Sequence, residues 1–162
     1  MSVAVVTNFT KSGADECTEN IINKLSTLGA EPVMLVTDAE KLRINNIRVY
    51  DDIEAMFKKC DSVIAVGGDG TIIGYAKIAA RYDKPILGVN LGRIGFVAGL
   101  EPYELDLLES FINGEYLSER RMLLNVKVTH NNVEDEFLAF NDAVISRGSL
   151  SRIIDLSVSL ND

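Results

Sequence analysis

The stretch of this chain with most chemistry in it is "GGDGT", Gly67 to Thr71, which closes the apolar run "DSVIAV". Three glycines let main-chain N–H groups close around an anion. A helix read from Thr71 onward points its free N–H groups and positive dipole end at the same place. Asp69, a negative charge inside that cradle, needs a reason of its own. Beside phosphates, a carboxylate can hold Mg2+ or take the proton from a hydroxyl that attacks phosphorus. Both uses describe phosphoryl transfer onto an alcohol. A bare Asp-Gly pair is an ordinary turn. Three glycines between a buried strand and a helix favour the functional reading.

Two familiar glycine motifs are excluded. The chain has no G-x-x-x-x-G-K-[ST], so this loop brings no phosphate-binding lysine of its own. A G-x-G-x-x-G fingerprint begun at Gly68 needs its last glycine where Ile73 stands, and Gly74 comes one residue late.

Other groups carry weaker signals. Asn141 donates and accepts at once and Asp142 accepts twice, which suits a ribose diol, although "FNDAV" also reads as a turn. Arg93 and Arg147 sit beside glycines and could pair with phosphates; a solvated arginine is the plainer account of each. Thr71 can bond a phosphate or cap its helix. Phe96 alone reads as core, and His130, before "NN", as a surface turn residue. Cys17 and Cys60 form no C-x-x-C pair, and with one histidine they cannot close a zinc site. Cys60 ends an apolar helical stripe and reads as packing.

The elements that must hold the loop follow from periodicity. "SVAVVT" is a strand, and Ile21, Ile22, Leu25 and Leu28 make a helical stripe stopped by Gly29. "EPVMLVT" is a second strand, "DDIEAMFKKC" a short helix, and "SVIAVG" a strand buried on both faces. "TIIGYAKIAARY" is a helix, "KPILGVN" a strand, and "PYELDLLESFING" one helix with Pro102 near its start and Gly114 past its end. Alternating strands and helices predict parallel units with right-handed crossovers. From Glu119 the pattern changes: "MLLNVKVTH", "EDEFLAFNDAVISRG" and "IIDLSVSL" alternate polar and apolar, with "NN" and "RGS" as turns. The expected fold is α/β: a Rossmann-like parallel domain over 1–116, then an incomplete antiparallel β segment over 117–162. "LSVSLND" announces a turn with no returning strand, so the β domain reads as truncated.

Composition narrows the class further. The 162 residues are 47% hydrophobic and 25% charged, enough to build one globular core. A formal net charge of −8 argues against nucleic acid as a partner. No apolar run approaches the roughly 20 residues of a membrane helix, and "MSVAVVTNFTKSG" has no basic lead or cleavage site. A cytoplasmic protein with reduced thiols and no membrane contact is expected.

"GGDGT" is similar to the signature of the kinase superfamily that contains NAD kinases, phosphofructokinases and diacylglycerol or sphingosine kinases. "GVNLGRIGFVAGL", Gly88 to Leu100, resembles the N-x-G-x-L-G-F-L segment of NAD kinases, with Ile94 and Val97 for two leucines. "FNDAVISRGSLSRIIDLSVSLND" resembles that family's Asn-acid segment and the strand after it. The resemblance implies transfer of the ATP (or polyphosphate) γ-phosphate to the adenosine 2′-hydroxyl of NAD, giving NADP, with Mg2+ or another divalent cation. It implies that Asp69 engages the 2′-hydroxyl as base or through the metal. It further implies that Gly67, Gly68, Gly70 and Thr71 bind phosphate, that Asn141 and Asp142 bind ribose hydroxyls, and that Phe96 lies near an adenine pocket. The family's second glycine-rich segment, G-x-x-x-S-T-P-T-G-S-T-A-Y-like, has no match here. This chain alone is therefore expected to be inactive, and the homo-oligomer interface to need the fuller β domain. A lipid kinase of the same superfamily and a catalytically silent nucleotide-binding module are the alternatives; the Gly92–Phe96 segment argues against the first.

Overall fold

The computed structural model describes residues 1–92, 95–146, 153 and 155–160. Arg93, Arg147, the "RGS" turn and the closing Asn161–Asp162 lie outside the described residues. The chain divides into two compact units, Met1–Arg121 and Met122–Asp162.

In the first unit, β1 (Ser2–Thr7), β2 (Glu31–Leu35), β3 (Arg48–Tyr50), β4 (Ser62–Gly67) and β5 (Ile86–Asn90) form one sheet in the order β3-β2-β1-β4-β5. Every pairing is parallel, from Ser2↔Glu31 on one side of β1 to Val3↔Ser62 on the other. β1 and β4 sit centrally and are buried almost throughout, as their unbroken apolarity requires. The helices are α1 (Ala14–Thr27), α2 (Val36–Leu42), α3 (Ile53–Lys59), α4 (Asp69–Arg81) and α5 (Leu108–Asn113). Val3, Val5, Ile21, Leu25, Met34 and Ile64 build the core on one side of the sheet. Val6, Val33, Met56, Phe57, Val63 and Ile72 build it on the other. Among the described residues, no helix is long and apolar enough to cross a membrane.

Three expectations are corrected, and one strand was not foreseen. Val36 and Thr37 belong to α2, not to the second strand; "VTDAEKL" continues in helix formers, and its two β-branched leading residues disguise this. β3 has only three residues and no apolar run to betray it. "PYELDLLESFING" is two pieces, a 3-10 helix over Pro102–Leu107 and then α5, with Glu104 off helical geometry at φ −107°. The helix α4 starts at Asp69 and not at Thr71.

The second unit contains β6 (Leu124–His130) and β7 (Val133–Ala139), an antiparallel hairpin in register from Leu124↔Ala139 to His130↔Val133. Asn131 and Asn132 turn it with φ of 50° and 62°, the left-handed pair a tight hairpin turn needs. The expected strand "IIDLSVSL" is not formed at its described residues 153 and 155–160, where no strand partner pairs with it.

Candidate functional site

In a parallel sheet, ligands bind beyond the carboxyl ends of the strands, where the strand order reverses. Here that point lies between β1 and β4, and a cleft of about 820 Å³ opens there. Thr7 to Lys11 line one wall, Gly68 to Thr71 with Gly74, Tyr75 and Ile78 of α4 another, and Asp38 and Lys41 of α2 a third.

Asp69 is the first residue of α4 and half-buried. Its Oδ2 accepts the N–H of Phe96 at 3.0 Å and its Oδ1 the N–H of Val97 at 3.4 Å. Those two amides fix the carboxylate in place while leaving lone pairs on both oxygens for a further donor. Gly95 must be a glycine, because a Cβ there would overlap Oδ1 of Asp69. The loop after β5 is tied down in turn. Leu91 donates its N–H to Gly67 O at 2.9 Å, and buried Asn90 accepts from Gly92 N at 3.0 Å and donates to Glu101 Oε1 at 3.0 Å.

No side chain caps α4; Gly68 stands at its N-cap with φ −93°. Thr71 N donates to Gly68 O at 2.9 Å, which leaves the N–H groups of Asp69 and Gly70 for a ligand, the way helix N-termini bind anions. The loop glycines serve close approach, not left-handed backbone: among the described residues, positive-φ glycines are Gly13, Gly29 and Gly114. A methyl on Gly67 would fall 2.6 Å from Thr71 Oγ1.

Sequence reasoning missed the wall opposite the loop. Asn8 N donates to Val66 O at 2.9 Å, and Asn8 Oδ1 accepts from Thr10 N at 3.1 Å and Thr10 Oγ1 at 2.7 Å. Since Thr10 N–H can only donate, the Asn8 amide orientation is fixed, and its Nδ2 donates to Thr71 Oγ1 at 3.1 Å. Below it, Thr18 spends its proton on Ala14 O at 2.7 Å, so Thr7 must donate to Thr18 across 2.8 Å. Burial lifts the Asp38 carboxyl above the usual carboxylate range, with Lys41 pulling the other way. It lifts the Tyr75 phenol too, helped by the charge of Asp38. The only sequence signal for this wall is a polar Asn8 directly after an apolar strand.

The structure thus gathers Gly68, Asp69, Gly70 and Thr71 on one cleft, with Gly67 packed behind Thr71. Phe96 reaches the site through its main chain; its side chain is 91% exposed and does not line the cleft. Asn141 and Asp142 are exposed and belong to the second unit, just past β7.

Strand order, crevice and uncapped helix define an α/β domain with an open cleft at its sheet's switch point. Residues 3–116 match the ATP-NAD kinase N-terminal domain family, and the chain belongs to that family. It is similar to the NAD kinase of Caldanaerobacter subterraneus subsp. tengcongensis, 37% identical over 162 residues, which cover 99% of this chain and 56% of the relative. The NAD kinase of Clostridium botulinum (strain Kyoto / Type A2) is 40% identical over 121 residues, 72% of this chain and 43% of the relative. The fold is shared with yeast NADH kinase, solved with NADH, at TM-score 0.71 and 17% identity over 86% of this chain and 46% of that one. It is shared also with the Archaeoglobus fulgidus NAD kinase solved with ATP, at TM-score 0.57 and 22% identity over 83% and 45%. The chain spans about half the length of the curated relatives it matches.

Proposed function

We propose that this chain carries the phosphate-binding and hydroxyl-activating part of an NAD kinase. The donor is ATP (or polyphosphate), its phosphates lying on the Gly67–Thr71 loop at the N-terminus of α4. The acceptor is the adenosine 2′-hydroxyl of NAD. Its oxygen bonds to the γ-phosphorus, the bond from that phosphorus to the β–γ bridging oxygen breaks, and ADP leaves with the electron pair. The hydroxyl proton passes to the Asp69 carboxylate. Asn141 and Asp142 bind ribose hydroxyls, and Phe96 borders the adenine.

Among the described residues, no group of three or more His, Cys, Asp or Glu could cage a metal. The cleft-lining carboxylate of Asp69, held by two main-chain amides, fits Mg2+, which is ordinarily held by one or two carboxylates together with substrate phosphates. Asp69 and the donor phosphates would hold it, and when bound it neutralises the transferring phosphoryl group.

One observation carries this reading: Asp69 lines the cleft at the sheet's switch point with its carboxylate held by two main-chain amides. The test is NADP formation from NAD and ATP by the complete gene product. Asp69→Asn keeps the two amide contacts in part and removes the base. It should lower kcat by about 10²–10⁴ while leaving the melting temperature nearly unchanged. Unchanged kcat in Asp69→Asn would remove the base from the reaction. Chain 1–162 by itself should bind ATP with little or no turnover.

A further inference from the structure

The loop's own sequence lacks the lysine that steadies phosphates in other glycine-rich loops, and the fold supplies one from elsewhere. Lys11 lies in the turn between β1 and α1 and lines the cleft. Its Cε would be the one atom within 4 Å of a methyl built on Gly68, at 3.9 Å, so the lysine stem crosses the mouth of the loop. The turn that carries it is not free to wander. Lys11 N donates to Asn8 O at 3.1 Å, Asn8 N is tied to Val66 O of β4, and Gly13 at φ 76° turns the chain into α1.

The two cleft-lining lysines differ in what they already hold. Lys41 Nζ sits 4.4 Å from the Phe9 ring centroid, a cation–π contact. Among the described residues, no ion pair or hydrogen bond engages the ammonium of Lys11. In a chain with 24 acidic and 16 basic residues, an unengaged cation beside uncapped helix amides is a distinctive placement. Thr71 adds a directed donor. Its oxygen already accepts from Asn8, so its own proton is available to an acceptor in the cleft.

We propose that Lys11 anchors the phosphate tail of the donor: its ammonium binds oxygens of the phosphoryl chain seated on the Gly67–Thr71 loop. Asn8 is the positioning residue, because one amide group sets both the Lys11 turn and the Thr71 hydroxyl. This assignment rests on the donor-site reading above and deepens it. Lys11 is exposed, so its replacement leaves the core untouched.

The test is equilibrium binding to chain 1–162, with ATP, inorganic tripolyphosphate and AMP as probes, at 50 and 200 mM salt. Lys11→Gln should weaken ATP and tripolyphosphate about 10- to 100-fold, the range for losing a charge-assisted hydrogen bond, and AMP by much less. The salt dependence of ATP binding should flatten in the same variant. Lys11→Arg should restore most of the affinity. Asn8→Ala should weaken ATP as well, with an unchanged melting profile for Lys11→Gln as the control for folding. ATP and tripolyphosphate binding within twofold of wild type in Lys11→Gln would overturn the anchor and leave the donor site standing. An equal loss for AMP would overturn it as well, as damage to the whole turn. If wild type binds neither ATP nor tripolyphosphate, the donor-site reading itself fails.

Discussion

Gly67→Ala isolates the demand that this loop makes on its backbone. Gly67 ends β4, is fully enclosed, and has no positive φ, so an alanine meets no conformational penalty. The penalty is contact. A Cβ there lies 2.6 Å from Oγ1, 2.7 Å from Cβ and 2.8 Å from Cγ2 of Thr71. Comfortable carbon contacts begin at roughly 3.5 Å, so Thr71 must retreat by nearly 1 Å. Turning its side chain gives no relief, because the Thr71 Cβ is itself one of the crowded atoms. Thr71 is held at its N–H by Gly68 O at 2.9 Å and at its hydroxyl by Asn8. Overpacking of this kind costs about 1–3 kcal/mol, and losing the Asn8 bond about 0.5–1.5 kcal/mol more. The sum, about 1.5–4.5 kcal/mol, corresponds to a urea midpoint lowered by roughly 1–2 M. Far-UV circular dichroism through a urea series reads it directly. Gly68→Ala is the internal contrast, since its methyl meets only Lys11 Cε at 3.9 Å. A Gly67→Ala unfolding free energy within about 0.5 kcal/mol of wild type would refute the close packing of strand end on helix start.

Three further outcomes follow from buried Ser62 and Cys17. Ser62 is fully buried in β4 and, among the described residues, its Oγ has no hydrogen-bond partner. Ser62→Ala should therefore stabilise the protein by about 1 kcal/mol, seen as a raised urea midpoint; destabilisation would mean that the hydroxyl has a partner. Burial, with the neighbouring Glu16 charge second, pushes the Cys17 thiol from 9.0 up to about 11. The unfolded chain then loses this proton before the native one does, so stability should be intact below pH 9 and fall as pH rises toward 11. At pH 8, native Cys17 should react with iodoacetamide at least about 100-fold more slowly than the same thiol in urea.

Particular residues show what the sequence could and could not announce. β4 and β5 were legible because a strand covered on both faces must be continuously apolar, and α1 because its apolar residues return every turn. The Gly67–Thr71 loop was legible because few structural needs call for three glycines and an acid between a buried strand and a helix. α2 and β3 were not, since seven and three residues carry too little periodicity. The opposite wall of the cleft escaped for a different reason. That Asn8 and Lys11 face Gly68 and Thr71 depends on β1 lying beside β4, a pairing between residues about 60 positions apart that no local pattern encodes.

Every fully packed apolar side chain in the described structure lies upstream of residue 112. Urea or heat therefore acts cooperatively on the parallel domain, whereas a two-stranded hairpin such as Leu124–His130 with Val133–Ala139 has little stability of its own to add to that transition. A melting temperature consequently says nothing about the segment bearing Asn141 and Asp142. Whatever steadies or loosens those two residues will be seen only by a probe placed beside them, such as amide exchange along β7.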